Sequence, residues 1–117
     1  MMTPNELLNT TINDLDDLKA RHVQSLPVSH FTPLTDFMVI ASGTSSRHVK
    51  SIADKLVRNM KSRHVITYGI ESDSNSEWVL VNLGDVIVHI MQPETREFYN
   101  LEKLWSSPSQ AHSLLTS

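Results

Sequence analysis

Two short apolar runs constrain the fold of this chain more than any other feature of its sequence. They extend over Trp78–Leu83 and Val86–Met91, and only Gly84-Asp85 separates them. Both runs are rich in β-branched residues and short for helices, so they predict strands. A glycine in so short a connection favours a tight turn, and the sequence therefore predicts an antiparallel β-hairpin.

A helix is predicted to follow the hairpin. Pro93 cannot continue a central strand and suits the first turn of a helix. Apolar residues then recur at helical spacing: Phe98, Leu101, Leu104 and Trp105. Trp105 is predicted to be core, whereas Trp78 and Tyr99 suit either the core or the aromatic anchors of a protein interface.

The N-terminal part predicts a helix and an edge strand. Thr3-Pro4-Asn5-Glu6 has the pattern of a capping box with proline at the first helical position. The acidic residues of this helix, Asp14, Asp16 and Asp17, are predicted to form a solvated face. Val23–Val28 is predicted to be an edge strand, because Pro27 would interrupt a central ladder.

The middle of the chain predicts a βαβ unit. Phe37–Ala41 is a continuous apolar run, typical of a strand buried on both faces. The residues that follow have an apolar stripe of period 3.6, which predicts a helix over 47–63. Val65–Ile70 is predicted to be the next strand, joined by a right-handed crossover, and Glu71–Ser76 a polar turn.

Length and composition indicate one soluble domain. We expect residues 1–105 of the 117 to form it and 106–117 to be a flexible tail. The chain has no cysteine, so it lacks disulfides and thiolate metal sites. No apolar run approaches the roughly 20 residues of a membrane span, and no secretory signal is visible, which predicts a cytoplasmic protein. The net charge of −3 neither requires nor excludes a nucleic-acid partner.

The sequence shows no arrangement that argues for catalysis, a cofactor or a metal. No two histidines have the spacing of metal ligands on one element, and no Ser or Thr sits in a nucleophile elbow. The small residues of 42–48 could hold a phosphate at a helix N-terminus, but a plain strand-to-helix turn explains them as well.

The predicted helix 47–63 holds six of the ten basic residues: Arg47, Lys50, Lys55, Arg58, Lys61 and Arg63. Such a face can line an RNA backbone, although a solvated surface is the simpler interpretation. No aromatics are interleaved with these charges, which argues against stacking on single strands.

Four segments together resemble the ribosomal silencing factor family RsfS, also called Iojap. They are 35–40, 42–49, 78–89 and 96–105, and the last two carry the most specific pattern. The resemblance implies an α/β fold like that of the nucleotidyltransferases, with a mixed β-sheet flanked by helices. Two positions depart from the family pattern: Asn82 stands where an acid is common, and Ser72 stands where Glu-Gly is common.

The resemblance also implies a function without catalysis. Family members bind the large ribosomal subunit through one of its basic proteins at the subunit interface. This blocks joining of the small subunit and represses translation when nutrients are limiting, while some relatives serve large-subunit assembly in organelles. The alternative from another class is a small nucleotidyltransferase-like enzyme, but the carboxylates that would hold magnesium are not apparent.

Six residues are predicted to contact the basic ribosomal protein: Glu71, Trp78, Asp85, His89, Arg96 and Tyr99. The resemblance supplies these positions, and aromatic anchors beside acids suit a basic partner. His89 and Arg96 could instead brace the hairpin against the closing helix. Apolar outer positions at Ile87 and Met91 suggest a homodimer as a further hypothesis.

Overall fold

The computed structural model describes residues 2–106, with side chains up to Lys103. The predicted tail therefore lies outside the described residues except for Ser106, and so does the side chain of Trp105. The elements run along the described chain as α1 (Pro4–Asp17), β1 (Arg21–Pro27), β2 (Phe37–Ser42), α2 (Ser46–Ser62), β3 (Gly69–Ser72), β4 (Trp78–Asn82), β5 (Val86–Met91), α3 (Pro93–Tyr99) and α4 (Leu101–Ser106).

Local capping chemistry begins both long helices. The hydroxyl of Thr3 accepts the N–H of Glu6, and the Glu6 carboxylate accepts the N–H of Thr3 at 3.3 Å. The predicted capping box is therefore present, with Pro4 opening α1. At α2, the hydroxyl of Ser45 accepts the N–H of His48 at 3.1 Å and caps the helix.

The five strands form one mixed sheet in the order β1-β2-β5-β4-β3. The predicted hairpin is confirmed: β4 and β5 are antiparallel, with Trp78 opposite Met91 and Asn82 opposite Ile87. The central pair β2 and β5 is parallel, and each outer strand is antiparallel to its neighbour. β1 is an edge strand, as Pro27 predicts.

Alternate strand residues supply two apolar clusters, one on each face of the sheet. The larger one joins inward residues of β4 and β5 to α1 and α2, and its strand members include Val79, Val81, Val88 and Ile90. The smaller one joins Met38, Ile40 and Met91 to Leu101 of α4. The predicted α/β class, with a mixed sheet flanked by helices, is therefore confirmed. None of the helices among the described residues is both long and apolar enough to cross a membrane.

The connection through α2 differs from the predicted βαβ unit of neighbouring strands. β3 runs parallel to β2, but β5 and β4 lie between them. The strand predicted at Val65–Ile70 begins only at Gly69, because the N–H of Val65 donates to the Met60 carbonyl at the end of α2. Residues 71 and 72, predicted to lie in a turn, pair with β4 instead.

Two predictions of solvent exposure are wrong. Asp14 is buried because α1 packs beside α2, where both of its carboxylate oxygens accept N–H groups of Arg63 at 2.5 and 2.9 Å. These hydrogen bonds raise the pKa of Arg63 above its usual value. Met91 is fully buried beneath Leu101, so the outer apolar patch predicted for a homodimer is reduced to the half-buried Ile87.

Candidate functional site

A tryptophan–histidine pair forms the centre of the outer sheet face. Trp78 begins β4 and His89 lies on the neighbouring strand β5. The indole Nε1–H donates to His89 Nδ1 at 2.9 Å, and the ring centroids are 5.7 Å apart. Nδ1 is thus an unprotonated acceptor, which places the proton of the neutral ring on Nε2.

The environment of His89 keeps its ring neutral. Only 6% of the residue is exposed, and burial lowers its pKa from 6.5 to about 4. The bond from Trp78 favours the same form, because a protonated Nδ1 could not accept it. His89 therefore holds Trp78 in place and carries no positive charge near pH 7.

Two aromatic residues of α3 extend this pair to the surface. The Tyr99 ring lies 4.8 Å from Trp78, and the Phe98 ring meets Tyr99 edge-on at 5.0 Å. Phe98 is 80% exposed and Tyr99 52% exposed, whereas Trp78 is half-buried. The helical spacing placed Phe98 and Leu101 on one predicted helix, but Asn100, in the left-handed conformation, ends α3 between them, and Leu101 begins α4.

Glu71 lies in the same part of the sheet. It is opposite Leu80, which is opposite His89, so the three residues form one row across β3, β4 and β5. Glu71 and Trp78 line a shallow groove with Asp73. The Asp73 carboxylate also accepts the N–H of Glu77 at 2.8 Å, which orders the turn before β4.

Arg96 is engaged inside the chain. Its guanidinium donates to a Glu102 carboxylate oxygen at 2.6 Å and to the Ser42 hydroxyl at 2.9 Å. It thereby joins α3 to α4 and to the end of β2, and its side chain is 12% exposed. Arg96 therefore braces the two C-terminal helices against β2 and not against the hairpin, and its direct contact with a partner stays a prediction.

Asp85 lies at the other end of the hairpin from Trp78, roughly 15–20 Å away at the usual rise of a strand. It is exposed, while its carbonyl accepts the N–H groups of Asp36 and Phe37 at 3.0 Å. The structure therefore brings Glu71, Trp78, His89 and Tyr99 together and leaves Asp85 apart from them.

We call the exposed part of this face the aromatic–acidic surface; it comprises Glu71, Asp73, Trp78, Phe98 and Tyr99. Its charged members, Glu71 and Asp73, are both acids, and the segment 65–95 in which they lie contains no Lys or Arg. The acids of that segment are all exposed: Glu71, Asp73, Glu77, Asp85 and Glu94. Asp73 and Phe98 are the two members that were not among the six predicted contact residues.

The basic residues are concentrated on α2, which packs on the opposite face of the sheet. All six basic residues of this region are exposed: Arg47, Lys50, Lys55, Arg58, Lys61 and Arg63. Arg63 differs from the other five in being paired with Asp14. In the part of the chain with described positions, no three His, Cys, Asp or Glu side chains are grouped so that they could hold a metal ion.

Comparison with known proteins decides the family. The profile of the family described as "Ribosomal silencing factor during starvation" matches residues 1–116. The chain belongs to this family. The ribosomal silencing factor RsfS of Haemophilus influenzae is 41% identical to it over 100 residues, which cover 86% of this chain and 98% of that protein.

Two further relatives extend the comparison of this RsfS-family chain. A crystal structure of a protein from Chromobacterium violaceum superposes with a TM-score of 0.86 at 37% identity, covering 91% of this chain and 88% of that one. A mouse protein named "Mitochondrial assembly of ribosomal large subunit protein 1" is 39% identical over 90 residues. The match spans 74% of this chain and only 40% of the mouse protein.

Proposed function

We propose that this protein silences ribosomes by binding a basic protein of the large subunit at the subunit interface. Occupation of that place blocks joining of the small subunit and lowers translation in the cytoplasm under nutrient limitation. No catalytic step is needed, because a bound protein excludes its competitor by volume alone. The observation that carries the proposal is the exposed Phe98–Tyr99 pair of α3 beside the acids of segment 65–95, which contains no Lys or Arg.

This surface combines the two properties that a basic protein partner requires. Exposed aromatic rings supply contact area and are enriched among residues that dominate binding energy. Carboxylates of one sign attract Lys and Arg of the partner during encounter and discriminate against acidic competitors. The Trp78–His89 bond and the contact of Trp78 with Tyr99 hold the rings before binding, which lowers the entropy lost in the complex.

Sedimentation with purified subunits tests the proposal. We expect the protein to pellet with large subunits and not with small ones, and to prevent the two from joining. Glu71→Lys should weaken pelleting, whereas Asp16→Lys, the same charge change at an exposed position of α1, should leave it unchanged. Pelleting with small subunits alone, or equal weakening by both substitutions, contradicts the proposal.

Large-subunit assembly is a second candidate, and the name of the mouse relative favours it. The two functions differ in what accumulates when the protein is absent. An assembly factor would leave incomplete large subunits, whereas a silencing factor would leave complete subunits that join more readily during starvation. Sucrose-gradient profiles of cells without the protein distinguish the two outcomes.

Direct contact with ribosomal RNA through α2 is a further element of the proposal. Arg47, Lys50, Arg58 and Lys61 fall within one arc of the helix, away from its buried stripe. The ion pairs Arg63–Asp14 and Arg96–Glu102 involve none of them. Such contacts make binding to naked RNA steeply salt-dependent. The logarithm of the binding constant falls with the logarithm of the salt concentration, with a slope of about −0.7 to −0.9 for each phosphate neutralised. A flat salt dependence excludes the RNA contact.

Homodimer formation stays a prediction, which sedimentation equilibrium at high protein concentration would test.

A further inference from the structure

The two edges of the sheet differ in how they are protected against pairing with another strand. The β1 edge has a register irregularity between Arg21 and Gln24 and a proline at its end, and helices α1 and α4 contact this strand. Bulges, prolines and covering helices are the usual means by which proteins block an edge. The bulge and the proline therefore disfavour pairing of an incoming strand with β1.

The β3 edge has the opposite character. Among the described residues, β3 pairs with β4 on one side and with no strand on the other. Ile66, Tyr68 and Ile70, in β3 and the segment before it, are 63%, 66% and 52% exposed. These are half of the large apolar residues exposed in the described chain. Exposed apolar side chains beside unpaired backbone groups form a template for strand addition.

The charge around this edge selects the kind of strand that fits. β3 and its flanks lie in segment 65–95, with Glu71 and Asp73 exposed and no Lys or Arg. A second copy of this chain would bring the same acids against these, and nucleic acid would be repelled. An extended polypeptide rich in Lys and Arg satisfies both the backbone groups and the charge.

We propose that the β3 edge takes an extended segment of a basic protein as a sixth strand of the sheet. The edge is continuous with the aromatic–acidic surface, since Glu71 belongs to β3 and to the groove beside Trp78. One partner can thus pair with β3 through its backbone and contact Tyr99 through its side chains. The inference rests on the proposed function and specifies how the ribosomal protein is held.

Backbone hydrogen exchange of the unmodified protein tests this mode of binding. Amides of residues 69–72 should exchange more slowly in the complex with purified large subunits than in the free protein. If the protein pellets with large subunits but exchange in 69–72 is unchanged, strand addition is wrong and the proposed function stands. If the protein does not pellet with them at all, both are wrong. Slower exchange with rising protein concentration alone would assign the edge to a second copy and overturn the inference.

A pair of substitutions gives an independent test. Ile66→Ser with Ile70→Thr removes apolar surface from the edge while Thr keeps the β-branched shape suited to a strand. We expect Kd for large subunits to rise roughly tenfold. Leu34→Ser is the matched control, because Leu34 is 76% exposed and belongs to the loop before β2. Wild-type affinity of the edge variant would overturn the inference, and if that variant does not fold, the exchange measurement on the unmodified protein decides.

Discussion

Truncation of Phe98 separates binding from folding more cleanly than any other change in the candidate surface. The residue is 80% exposed, so Phe98→Ala removes little that the folded chain uses apart from the edge contact with Tyr99. An aromatic side chain can bury about 200 Å². The exposed share of Phe98 is therefore about 160 Å², which corresponds to about 4 kcal/mol at 25 cal/mol per Å². Association realises only part of such a gain, and we expect a loss of about 2 kcal/mol, or roughly 30-fold in Kd.

The assay is equilibrium binding to purified large subunits, accompanied by thermal unfolding of each variant. The melting temperature of Phe98→Ala should stay within a few degrees of the wild type, because no buried contact is lost. Leu34→Ala removes a side chain of comparable exposure in the loop before β2 and should bind normally. The reasoning is refuted if Phe98→Ala binds within a factor of two of wild type, or if Leu34→Ala weakens binding as much.

Three further predictions follow from single side chains. Asp85→Lys should abolish ribosome binding while keeping the melting temperature within a few degrees, since Asp85 is exposed and only its carbonyl is bonded in the fold; normal binding would exclude Asp85 from the interface. Arg63→Ala leaves Asp14 buried without its partner and should lower the unfolding free energy in urea by about 1.5–3 kcal/mol, whereas Arg58→Ala should not. Equal effects of the two substitutions would show that the Asp14–Arg63 pair adds nothing to the free energy of unfolding. His89 has a folded pKa of about 4 against 6.5 unfolded, so the unfolded state binds more protons between those values. The contribution of His89 to the free energy of unfolding, roughly 3 kcal/mol, is complete above pH 6.5 and is lost as pH falls toward 4. The variant His89→Gln should lack this part of the pH dependence. Identical profiles of unfolding free energy against pH for the variant and the wild type would contradict the prediction.

The hairpin and the two long helices could be predicted from the sequence because their signals are local. The runs around Gly84-Asp85 are short, β-branched and close together, and α2 shows one apolar stripe with a cap in front of it. The turn also requires glycine, since φ of Gly84 is +87° and an added Cβ would lie 2.9 Å from the Tyr68 ring. Turn geometry, helix caps and apolar periodicity are each set by residues close together in the chain, so they can be recognised in the sequence for these three elements.

Pairings between distant parts of the chain could not be predicted. The parallel contact of β2 with β5 skips three elements, and no pattern within either strand specifies its neighbour. The same holds for Asp14 and Arg63, which are 49 residues apart and looked like ordinary charges on two amphipathic helices. The closing helix shows a different failure: the spacing of Phe98 and Leu101 predicted one helix, but α3 ends at Asn100 between them.

The hairpin gives this chain both its core and its candidate surface, so its register must be fixed. Val79 and Val81 face the helices, while Trp78 and Leu80 face the outer side, and a shift by one residue would exchange the two sets. The turn opposes such a shift, because the side-chain oxygen of Asn82 accepts the Gly84 N–H at 2.8 Å. A carboxylate at this position, which the family resemblance led us to expect, could accept the same bond. Asn82 therefore keeps the contact that sets the register and gives up only the charge, so the acids of the surface, rather than this position, must supply the attraction to a basic partner.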